Sequence, residues 1–70
     1  MRVNEKNLVN YILAYEIGEL DADKVLELFA YLVKTGLAWE LQGHYGRTAA
    51  ALIEQGVITE DGKINWDALM

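Results

Sequence analysis

The chain has 70 residues, a formal charge of −5 from eleven acidic and six basic side chains, a hydrophobic fraction of 53% and no cysteine. That size holds one domain, whose single core supplies only roughly 3–5 kcal/mol, and the missing cysteines exclude disulfide staples and thiolate metal sites. The acidic balance argues against duplex binding, where affinity comes mainly from cationic side chains on phosphate.

A single histidine builds no zinc site on its own, although carboxylates could help, which leaves helix packing or self-association as the expected source of stability. No stretch approaches the ~18 consecutive apolar residues of a membrane span. The opening MRVNEKNLVNYIL lacks the long apolar run and small-residue cleavage site of a signal peptide. These features predict a soluble cytoplasmic protein without a cofactor.

Asn4 is the expected N-cap of a first helix, with Glu5 in the turn where the helix dipole favours negative charge. Leu8, Tyr11, Ile12 and Tyr15 form one apolar stripe of that helix, and Val9 and Leu13 form a second about 100° away. An arc that wide exceeds what one neighbour covers, which predicts self-association through Leu8–Leu13. Gly18 is the expected stop. Asp21 then caps a second helix, with Asp23 in its first turn. Val25, Leu28, Phe29, Leu32 and Val33 are its core face. Glu27, Tyr31 and Lys34 lie three or four residues apart opposite, as a solvated stripe.

After Gly36, Leu37 to Gln42 reads as a short helix or bend stopped by Gly43, with Trp39 and Leu41 in the core. His44-Tyr45-Gly46 reads as a compact connection. Arg47 to Gln55 reads as an alanine-rich helix ended by Gly56, with Ala49, Leu52 and Ile53 inward. In the tail, Thr59-Glu60-Asp61-Gly62 between Val57-Ile58 and Lys63-Ile64 is a hairpin or tight-turn signal. Asn65 caps a last turn carrying Trp66 and Leu69. The expected fold is mostly α: a small helical bundle of three to four helices spanning residues 1–70, with a short C-terminal hairpin or turn.

Serine is absent as well as cysteine, so two common nucleophiles are missing. His44 has no evident orienting partner, and the acid pairs Asp21/Asp23 and Glu60/Asp61 sit where capping and turn formation explain them. A non-enzyme is expected. The candidate site is the stretch Gly36 to Gly56, which gathers four of the six glycines and the only histidine. Within it, His44-Tyr45-Gly46-Arg47-Thr48 is a glycine-bearing segment entering a helix, an arrangement suited to an anion. Arg47 would contribute a bidentate guanidinium, Thr48 a hydroxyl, Tyr45 or Trp39 a face for a stacked base, and Lys34 a further charge. The spacing matches neither a Walker A loop nor a dinucleotide fingerprint. Each residue also has a structural alternative: His44 as a cap, Arg47 paired with Glu54 or Glu40, Tyr45 as core. A helix-turn-helix can be forced onto Val25–Thr35 and the following helix, but the net charge opposes it.

At LAWELQGHYGRTAAALIEQG the chain resembles a group of small proteins encoded by tailed bacteriophages, over nearly its full length from NLVNYILAYEIGELD onward. The resemblance implies action in the host bacterial cytoplasm by stoichiometric binding, and it transfers no catalytic residues. Two modes follow from it: sequestering a phosphorylated nucleotide signal of host defence through His44–Thr48, or inhibiting a host protein through aromatic anchors such as Tyr11, Tyr15, Tyr31 or Trp66.

Overall fold

In the computed structural model, which describes residues 3–41 and 43–69, three α-helices are joined by short turns and closed by a small tail. They are α1 (Leu8–Glu16), α2 (Ala22–Thr35) and α3 (Gly43–Glu54). Single 3₁₀ turns occupy Leu37–Trp39 and Trp66–Leu69. The tail holds one isolated antiparallel bridge, Ile58 to Ile64, and no longer strand exists among the described residues. The fold is thus the small helical bundle with a C-terminal turn that the sequence predicts. The side chain of Leu69, expected to pack from the last turn, and Gln42 lie outside the described residues.

Asn4 does make capping bonds, one turn before the α-helix proper. Its Oδ1 accepts the Lys6 and Asn7 amides at 2.8 and 3.1 Å, and the Asn7 Oδ1 accepts the Asn4 amide at 2.7 Å. This reciprocal pair is a capping box built from two asparagines. The α-helix starts after it, at Leu8. At the other end, Gly18 N–H donates to the Tyr15 carbonyl and Glu19 N–H to that of Ala14, a Schellman closure. The same pattern ends α3, with Gly56 donating to Ile53 and Val57 to Leu52. It turns Val57 back into the core, where that residue is buried.

The core sits on α2, whose Leu28, Phe29, Ala30, Leu32 and Val33 are all buried. Leu28, Phe29 and Leu32 are fully so. Asp21 occupies the N-cap position without a side-chain hydrogen bond, and Asp23 lies in the first turn. The 3₁₀ turn after Gly36 corrects one expectation: Ala38 is the buried residue there, and Trp39 stands 54% exposed. A three-residue turn has one inward position, and only a small side chain fits beneath α3 as it crosses at Gly46. A Cβ on Gly46 would lie 3.4 Å from the Ala38 carbonyl and 3.7 Å from the Trp39 ring. Leu41 packs at the edge of the core as expected.

A second correction concerns α3, which begins at Gly43 rather than Arg47. Neither Gly43 nor Gly46 takes a positive φ, so neither interrupts the helix, and Gly46 serves as a point of close approach. Ala49 is fully buried while Ala50 and Ala51 face outward.

In the tail, Gly62 N–H donates to the Thr59 carbonyl and Thr59 N–H to the Lys63 carbonyl, closing the expected turn. Gly62 is doubly required. Its φ of +84° is left-handed, and an added Cβ would lie 2.6 Å from both the Ala30 carbonyl oxygen and the Lys34 Cβ. The turn is pressed directly onto the α2 backbone.

Candidate functional site

The seven residues expected to form a site are divided among different surroundings. Tyr45 points inward and is 3% exposed. Its hydroxyl donates to Glu16 Oε2 at 2.5 Å, and its ring lies 6.0 Å from Phe29 and 5.7 Å from Tyr15. Burial first, then the hydrogen bond to Glu16 and that carboxylate's charge, push its hydroxyl well above the ordinary tyrosine range. His44 stacks at the rim of the same cluster, with centroids 4.0 Å from Tyr45 and 6.5 Å from Tyr15. The Tyr45 ring is therefore packed away from any stacked base, as its core alternative has it.

Because α3 starts at Gly43, its unpaired first-turn amides belong to residues 43–46, not to a segment after Arg47. Arg47 is exposed and folds back towards that end, so that a Cβ on Gly43 would meet its Nη1 at 3.0 Å. Among the described residues it makes no ion pair with Glu40 or Glu54. Thr48 is half-buried one residue further on. Gly46 is taken up by its approach to Ala38 and Trp39.

Lys34 belongs to another surface. It lines an open groove of about 600 Å³ between α2 and the tail, with Glu27, Tyr31, Asp61, Lys63 and Trp66. The stripe Glu27–Tyr31–Lys34, expected to face bare solvent, is thus one wall of this groove. Its charges are mixed, and Asp61 is already engaged. It accepts a short hydrogen bond from the Thr59 hydroxyl, which holds its carboxyl below the usual range, and it lies 4.0 Å from Lys63 Nζ.

Trp39 lines a shallower recess of about 430 Å³ with Ala50, Ile53, Glu54 and Glu60. The sequence hides this assembly, because Trp39 and the two acids, Glu54 and Glu60, come from the 3₁₀ turn, the end of α3 and the tail turn.

A further surface is apolar. Val9, Leu13 and Ile17 are 64, 57 and 67% exposed, four residues apart and hence in one row along α1 and its C-cap residue Ile17. No residue of α1 is fully buried. The companion stripe Leu8, Tyr11, Ile12 and Tyr15 packs on the core. Among the described residues no helix is long and apolar enough to cross a membrane, and no group of three or more acidic or histidine side chains comes together to hold a metal.

The model of one family matches residues 2–70, that of a domain of unknown function (DUF7417), and the chain belongs to this family. No curated protein matches the chain. No solved structure matches it either.

Proposed function

We propose that this protein is a non-catalytic binding module that works stoichiometrically through the outer face of α1, with a second copy of itself as its resting partner. The observation that carries the reading is the exposed row Val9, Leu13 and Ile17. Each such side chain contributes about 1.5–3 kcal/mol when fully covered, and contiguous apolar patches of this kind mark interaction surfaces. A two-fold antiparallel pair is the simplest closed arrangement. It brings Lys6, at one end of the row, towards Glu16 and Glu19 at the other end of the second copy, all three being exposed. A host protein presenting an apolar groove would take the same face by helix-in-groove docking. The resemblance to small phage proteins supports the bacterial cytoplasm as the setting of that encounter.

Sedimentation tests the reading. Wild type at high micromolar concentration should run heavier than the 7.9 kDa chain, and Leu13→Glu should run as a folded monomer whose melting temperature no longer rises with protein concentration. A strictly monomeric wild type overturns it.

A second reading, capture of a phosphorylated nucleotide, is favoured by one observation, the Arg47 guanidinium lying beside Gly43 at the start of α3. Helix N-termini suit anions. In this form the site uses Arg47 with the first amides of α3 and does without the Tyr45 ring. A thermal-shift screen of cyclic dinucleotides and ADP-ribose derivatives on wild type and Arg47→Ala tests it. A midpoint that no nucleotide moves, or that moves equally in both proteins, removes this reading.

A further inference from the structure

We infer that the recess around Trp39 is a receptor for an arginine side chain of a partner protein. Four features of the molecule converge on that ligand. The first is the indole, which is 54% exposed, with its Cε3 edge next to α3 at Gly46. An exposed indole is the best aromatic surface for a stacked guanidinium.

The second is charge. The recess is lined by Glu54 and Glu60 and by no cationic residue, and among the described residues neither carboxylate makes an ion pair. The third is that Glu54 is the last residue of α3. A negative charge there opposes the helix dipole, so helix stability does not account for this acid. Glu60 comes from a turn whose closure is carried by Thr59, Asp61 and Gly62 instead. The fourth is the apolar lining from Ala50 and Ile53, which matches the methylene stem that an arginine lays down behind its charged head.

Together these features complement one side chain from end to end: apolar stem, planar cation, and two carboxylates able to accept its hydrogen bonds. The groove between α2 and the tail offers no such match, because its lysines and acids offset one another. The overall charge of −5 adds long-range attraction for a basic surface. The recess does not depend on the α1 face, since none of its residues lies on α1.

Intrinsic fluorescence tests the inference in a Trp66→Phe background, where Trp39 is the sole tryptophan. A blocked tri-arginine peptide, titrated at low ionic strength, should change Trp39 emission saturably. Binding should weaken about tenfold or more in Glu54→Gln/Glu60→Gln, where two charge-assisted contacts are lost. Glu5→Gln/Asp23→Asn removes the same net charge at exposed positions outside the lining of the recess and should bind within about twofold of its parent. Adding Leu13→Glu to the background, which breaks the α1 surface, should leave the titration unchanged. An unresponsive Trp39, equal weakening by the two double variants, or tri-lysine binding as tightly as tri-arginine would each overturn the assignment.

Discussion

Helices α1 and α2 are both rich in aliphatic and aromatic side chains, yet they end in opposite circumstances. Five residues of α2 are buried and none of α1 is. The difference lies in the number of neighbours. Helix α2 is flanked by α1, the 3₁₀ turn and α3, and the Gly62 turn presses on its remaining side. Helix α1 packs on one side, through Leu8, Tyr11, Ile12 and Tyr15, and the row Val9, Leu13, Ile17 stays outside. Apolar content thus sets how much surface a helix would bury, while the count of packed neighbours sets how much it does. The excess stays exposed on α1.

The contrast is most exposed by truncating one leucine in each helix. Leu32→Ala should cost about 2–5 kcal/mol, because a fully buried leucine leaves a cavity. Leu13→Ala should stay within about 0.5 kcal/mol in a dilute monomer, as solvent-facing substitutions do. Chemical denaturation of both variants measures the gap, and comparable losses would mean that α1 is covered.

Gly62→Ala attacks the outer cover of α2. A left-handed alanine costs about 1–2 kcal/mol, and the overlap with Ala30 and Lys34 adds to it, so a loss of about 2–3 kcal/mol in denaturation is expected.

Tyr45→Phe acts on a polar tie between α1 and the core. Its expected cost is about 1 kcal/mol near neutral pH, held down because Glu16 is exposed and can rehydrate. The fold raises the Tyr45 hydroxyl above its unfolded value, so it favours the neutral form. That contribution is intact below about pH 10 and declines as pH rises beyond it. Thermal melts from pH 8 to 11 should therefore show wild type losing its advantage over Tyr45→Phe on the alkaline side.

Much of this architecture can be read from the chain itself. The stripes of α1 and α2, the ends at Gly18, Gly36 and Gly56, and the Asp61-Gly62 turn all follow from local periodicity and turn chemistry. The start of α3 does not. A glycine reads as a breaker when only its neighbours in sequence are known, whereas Gly46 is explained by Ala38 and Trp39, eight and seven residues earlier. Trp39 misleads for a related reason, since its size suggests burial but the single inward place beneath α3 admits only an alanine. The stretch His44–Thr48 stands out in the sequence, and in the fold it holds the close backbone approach at Gly46 and the ring packing of His44 and Tyr45. Nothing local announced that Glu54 and Glu60 would meet Trp39, because that recess is assembled by the return of the tail.

The seat of Gly62 on α2 also has a kinetic side. Its walls are the Ala30 carbonyl and the Lys34 side-chain root, which take up that spacing only when residues 30–34 are already helical. The tail turn is therefore expected to close late on the route to the native state, with a φ-value near 0 at Gly62. Interactions made after the transition state leave the folding rate nearly untouched and act on the reverse step. Damage to this seat should accordingly appear as faster unfolding with almost unaltered refolding, making the tail turn the element that governs how long a folded molecule persists.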